Sequence, residues 1–105
     1  MIKIVAGESY PLYFAINQDG IGLTPDMLDD LKICIGKKSW TLRTGGVRYA
    51  ADRGKWYIHP TQAETLAMPV GKSDICFHFK YRNGDVYIKR DGQLVVERGC
   101  CTEVF

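Results

Sequence analysis

Residues 75–81 alternate without a break: Ile75, Phe77, Phe79 and Tyr81 share one parity, Cys76, His78 and Lys80 the other, and Asn83-Gly84 follows. Successive side chains of a strand point to opposite faces, so the pattern predicts a half-buried strand with its rings inward and His78, Lys80 and Arg82 in water. Shorter runs of this kind fall at residues 2–5 and 10–16, and Pro11 demotes the start of the second to an edge or a bulge. Turn signals separate the runs: Gly7-Glu8, Asn17-Gln18-Asp19-Gly20, Gly36-Lys37-Lys38, Gly45-Gly46, Arg53-Gly54, Asn83-Gly84 and Asp91-Gly92. Short β-prone runs punctuated in this way predict an all-β sandwich or barrel.

Folding the chain about its turns gives three hairpins, if each cross-strand pair must share a face. About Asn83-Gly84, Tyr81 meets Val86, Lys80 meets Tyr87 and Phe79 meets Ile88. About Lys37-Lys38, Ile35 meets Trp40 and Ile33 meets Leu42; about Arg53-Gly54, Ala51 meets Trp56 and Tyr49 meets Ile58. The predicted core is Phe14, Ile33, Ile35, Trp40, Trp56, Ile58, Phe77, Phe79 and Ile88. Two helical turns interrupt the strands. Thr24-Pro25-Asp26-Met27 offers a cap, a proline at the first helical position and an early acid, and Thr61 with Glu64 fits a capping box that must end before Pro69. After Ile88 the pattern fits either a hairpin at Asp91-Gly92 or one long final strand bulged at Gly92.

A chain of 105 residues suits one domain, taken as residues 1–105. Its net charge of +2 comes from 14 basic and 12 acidic residues scattered along the chain, so no basic block marks it for nucleic acid. Apolar runs are too short for a bilayer span and the start lacks a signal peptide's layout, which predicts no membrane association and folding in a cytoplasm. The four cysteines, Cys34, Cys76, Cys100 and Cys101, contain no C-x-x-C pair and are read as free thiols. A zinc site from Cys34, Cys76, His78 and a terminal cysteine is the metal-binding alternative; packing of Cys34 and Cys76 as small hydrophobes is preferred to it.

The histidines offer little to catalysis. His59 precedes Pro60 at a strand end, His78 is expected to face Lys89, and no serine sits in a nucleophile elbow. Asp26, Asp29 and Asp30 lack the glycine and closing glutamate of a calcium loop, and no nucleotide motif occurs, so no catalytic residue, cofactor or small-molecule substrate is predicted. An RNA platform needs aromatic rings and cations on one exposed face, whereas here the two alternate. Only Tyr87, expected outside beside Lys80, meets that condition, in a cation–π pair worth about 0.5–1 kcal/mol. A sugar-binding sandwich, the second functional reading, would show an exposed tryptophan, yet Trp40 and Trp56 both fall on core faces. A small enzyme or metal-binding domain is the third.

The run GESYPLYFAINQDG, the segment LTPDMLDDLKICIG and the stretch DRGKWYIHPTQAETLAMPVGKSDICFHFKYRNGDVY resemble the immunoglobulin-like N-terminal domain of phage baseplate upper proteins and related prophage tail proteins. The resemblance spans roughly residues 5–96 and implies an immunoglobulin-like sandwich of seven to nine antiparallel strands with one or two short helical turns. It further implies a non-enzymatic virion component, of the tail, baseplate or neck, that assembles in the host bacterial cytoplasm with copies of itself and with other tail proteins. It carries no site residues over to this chain. The sequence supplies its own candidates: Gln93-Leu94-Val95-Val96 holds three consecutive apolar residues, of which one face of a strand can bury only part. Leu94 and Val95, with Tyr87, are therefore the expected surface for homo-oligomerisation.

Overall fold

In the computed structural model, which describes residues 2–100 and Val104, the chain is all-β. Ten strands appear: β1 (Ile2–Val5), β2 (Leu12–Phe14), β3 (Asn17–Gln18), β4 (Ile21–Gly22), β5 (Leu28–Ile35), β6 (Lys38–Thr41), β7 (Val47–Ala50), β8 (Lys55–Ile58), β9 (Gly71–Tyr81) and β10 (Val86–Glu97). A five-stranded sheet of order β1-β10-β9-β5-β6 shares its core with a three-stranded sheet of order β2-β8-β7, and β3 and β4 form a separate hairpin. Phe14 of β2 meets Phe77 of β9 edge-on at 5.5 Å between ring centroids, which joins the two sheets. The strand count exceeds the expected seven to nine because β3 and β4 are two-residue strands, too short to show as periodicity. Pairing is not wholly antiparallel either. β1 runs parallel to β10, an arrangement open to strands from the two ends of the chain, with the rest of the fold as their crossover.

Each predicted hairpin forms, but none in the predicted register. β5 and β6 turn through Gly36-Lys37, with Gly36 at φ 58°, so Ile33 meets Trp40 and Ile35 meets Lys38. β7 and β8 are joined by a four-residue loop, which sets Tyr49 against Trp56 and Val47 against Ile58. Both differ from expectation by two residues, a full strand period, so the buried faces are unchanged. The third hairpin differs by one. Gly84, at φ 98°, closes a three-residue loop in which Tyr81 N–H donates to Asp85 and Gly84 N–H donates to Tyr81. Tyr87 therefore stands opposite Phe79 and Ile88 opposite His78. Ile88, predicted in the core, is 67% exposed, whereas the other eight predicted core residues are buried.

Two anchors hold the smaller elements. Trp56 is fully buried, and its indole N–H donates to the Leu23 carbonyl at 3.0 Å, tying the exit of the β3–β4 hairpin to the small sheet. That hairpin turns on Asp19-Gly20, both at positive φ, the two-residue turn whose twist matches paired strands. The capping box forms as expected at α1 (Gln62–Ala67): Thr61 Oγ1 accepts from Glu64 N–H, and Glu64 Oε1 accepts from Thr61 N–H at 2.8 Å. Thr65, buried on α1, accepts from Gly7 N–H and donates to the Glu8 carbonyl, which clamps the helix to the β1–β2 connection. Pro25–Met27 is a 3-10 turn, but Thr24 turns its hydroxyl to the Asp26 carboxylate and does not cap the backbone.

The one-residue difference makes a stability contrast. Phe79→Ala should cost about 3–5 kcal/mol in denaturant unfolding, and Ile88→Ala no more than ~0.5 kcal/mol, because only the first leaves a core cavity. Equal, large losses at both positions would restore the predicted register.

Candidate functional site

β10 changes faces midway. Arg90 pairs with Cys76 and Gln93 with Asp74, so Asp91 and Gly92 together oppose Ile75, and Gly92 takes φ 81°. The final segment is thus one long bulged strand, the second of the two forms its pattern fitted. Before the bulge the odd residues face the core; after it Leu94 and Val96 do, at 0% and 1% exposure.

The two halves also differ at their outer edge. Residues 94–97 lie between β9 and β1, with Leu94 beside Ile2 and Val95 beside Lys3. The expectation that this stretch is an open edge is therefore not met. β1 covers its backbone, Leu94 is fully buried, and Val95 is half-buried on the outer face. Residues 86–90 pair with β9 alone, and no strand among the described residues flanks their other side.

Antiparallel ladders alternate in direction, and the Tyr81–Asp85 bond fixes their phase here. Tyr87 and Lys89 turn their backbone groups to β9, whereas Val86, Ile88 and Arg90 turn theirs to the free side. Val86 and Ile88 are 60% and 67% exposed, so open backbone coincides with open apolar surface. Tyr87 shares the face of Phe79, on which it stacks at 5.8 Å, and is edge-on to Tyr81 at 5.5 Å; it is exposed, as expected, but Val86 takes its place opposite Lys80. Burial, then Tyr87 and Asp19, push the Tyr81 phenol up. Lys89 Nζ donates to the Asn17 carbonyl at 2.9 Å, which secures the β3–β4 hairpin beside this half of the strand. The sequence did contain the signal for this edge: a glycine in third place of Arg82-Asn83-Gly84 fits the three-residue loop that shifts parity.

The remaining candidates disperse. His59 ends up beside the outer face of the small sheet, and His78 on the outer face of the large one, opposite Ile88 and Lys32, not Lys89. Cys34 and Cys76 are direct cross-strand neighbours, both half-buried and free. Burial raises the Cys34 thiol, Lys32 pulls it back, and Cys76 adds to the rise. Cys100 is exposed, and Cys101 lies outside the described residues. Among the described residues no three His, Cys, Asp or Glu side chains are placed to hold a metal ion. Asp29 and Asp30 belong to β5 and not to a loop: Asp29 lies 3.7 Å from Arg43 and 3.8 Å from Lys80, and Asp30 Oδ1 accepts from the Leu31 and Arg43 amides. Trp40 and Trp56 are both buried. Among the described residues no helix is long and apolar enough to cross a membrane.

Among the described residues, the half-strand 86–90 joins open backbone with exposed apolar side chains. No family model matches the chain, and no curated protein matches it.

Proposed function

We propose that this chain is a non-enzymatic assembly module that joins a second copy of itself by strand addition along residues 86–90. The observation that carries the reading is the coincidence of unpaired backbone and exposed Val86 and Ile88 on one half of one strand. Exposed edges of this kind template pairing with another chain unless they are covered, bulged away or broken by proline. Here the bulge and β1 guard only the second half.

Symmetry narrows the register. A two-fold axis normal to the sheet keeps each residue's face, so the free backbone groups of Val86, Ile88 and Arg90 must meet their own kind. A pairing centred on Tyr87 sets Val86 against the partner's Ile88 and Asp85 against the partner's Lys89, each twice. The pairing centred on Ile88 would oppose Asp85 to the partner's Asp91 and Val86 to the partner's Arg90. Like charges directly opposite destabilise a sheet, whereas opposite charges and apolar pairs each contribute roughly 0.2–1 kcal/mol. The Tyr87-centred register is favoured on both counts.

The setting comes from the resemblance to phage tail domains, in which a small sandwich repeats within a virion built in the host cytoplasm. A tail, baseplate or neck subunit fits a module whose surface offers strand pairing. Other tail proteins would then dock on the resulting dimer.

Light scattering should show a dimer at high micromolar concentration, a monomer for Ile88→Lys, and an unchanged dimer for Val95→Lys. A monomeric parent, or a dimer indifferent to Ile88→Lys, contradicts the reading. Register is read separately: with the native cysteines replaced by serine, Tyr87→Cys should oxidise to a disulfide-linked dimer faster than Ile88→Cys. Paired residues without mutual hydrogen bonds bring their Cα atoms to about 4.5 Å, within disulfide reach. The reverse order would move the axis to Ile88.

A further inference from the structure

Inward positions of the small sheet, Leu12, Phe14, Val47, Trp56 and Ile58, are all buried, so the alternate row Tyr13–Tyr57–Arg48 points outward across its three strands. The two tyrosine rings contact each other on this face, 5.3 Å between centroids and tilted by 41°. Arg53, from the β7–β8 loop, places its guanidinium 4.5 Å from the centre of the Tyr13 ring. Asp52 and Glu64 complete the walls of an open groove of about 870 Å³, within the size range of ligand sites. Two of its polar groups are already held: Arg53 by the ring beneath it, and Glu64 by the Thr61 amide at 2.8 Å. Groups fixed before binding lose little freedom when a ligand arrives.

We propose that this groove binds a short neutral oligosaccharide. The charge pattern makes the choice. Guanidinium groups only donate hydrogen bonds and carboxylates only accept them, whereas a sugar hydroxyl does both. Arg48, Arg53, Asp52 and Glu64, which line the same groove, therefore suit a polyhydroxyl ligand whose apolar ring face rests on Tyr57, beside the Arg53-covered Tyr13. Single-stranded nucleic acid would also find rings and arginines here, but its phosphates would meet two carboxylates that a backbone-tracking groove lacks. The aromatic role passes to tyrosines, since both tryptophans are buried. The proposal stands apart from the assembly edge, which belongs to the other sheet.

The test is an NMR titration of the full chain with maltotriose, cellotriose and chitotriose, and with a single-stranded oligothymidylate. At least one trisaccharide should shift the Tyr13 and Tyr57 ring resonances saturably while the amides of residues 86–90 stay in place. Tyr57→Ala should weaken that binding roughly tenfold. Arg48→Ala, at an exposed position, should weaken it too, which covers the case in which the tyrosine variant unfolds. Silence from all three trisaccharides, shifts confined to another surface, or tighter binding of the oligothymidylate would each overturn the proposal.

Discussion

One extra residue in β10 decides which parts of this molecule are closed and which are open. Asp91 and Gly92 share a single partner position on β9, so parity inverts there: Tyr87 stacks on Phe79 before it, and Leu94 and Val96 are buried after it. Without the inversion, the parity of Tyr87 and Lys89 would continue to Val95 and leave Leu94 and Val96 in water. The bulge also bends the strand, and only the half beyond it is matched by β1. The first half keeps β9 as its sole neighbour. Covered edge and open edge are thus two consequences of one backbone feature, with glycine at the position whose φ of 81° disfavours other residues.

The sequence made the faces legible and the registers only partly so. Burial of Ile33, Trp40, Trp56 and Ile58 followed from alternation alone, and survived two wrong loop lengths because a slip of two residues returns every side chain to its own face. At Asn83-Gly84 the slip was one residue. A strong two-residue turn signal competed there with a three-residue loop ending in the same glycine, and the pattern of Val86, Tyr87 and Ile88 fits either. The difference falls on the proposed assembly edge: the two-residue turn puts Ile88 in the core and sets Tyr87 opposite Lys80, whereas Ile88 is exposed and the open edge lies at residues 86–90. The cover on residues 94–97 was equally hidden, since parallel pairing between the two ends of a chain leaves no local mark.

The outward row on the small sheet leaves no mark in the sequence for a related reason. Tyr13 and Tyr57 come from separate segments, and Arg53 from a loop, so no contiguous stretch shows aromatic rings and cations together. Within each strand, the burial of Phe14 and Trp56 places Tyr13 and Tyr57 on the opposite face. What alternation could not supply was the adjacency of β2 and β8, which comes from tertiary pairing. The molecule consequently carries two outward surfaces of different chemistry: an apolar edge with free backbone groups, and a concave aromatic face with mixed charges.

Amide hydrogen exchange tests the central claim most directly, because it reads the free edge residue by residue. At low concentration the amides of Val86, Ile88 and Arg90 should exchange rapidly, while those of Tyr87 and Lys89, bonded to β9, exchange slowly. Raising the protein concentration should bring protection to Val86 and Ile88, the pair the Tyr87-centred register joins, and leave residues 94–96 protected throughout. Fast exchange at Val86 and Ile88 that does not change with concentration would contradict the account.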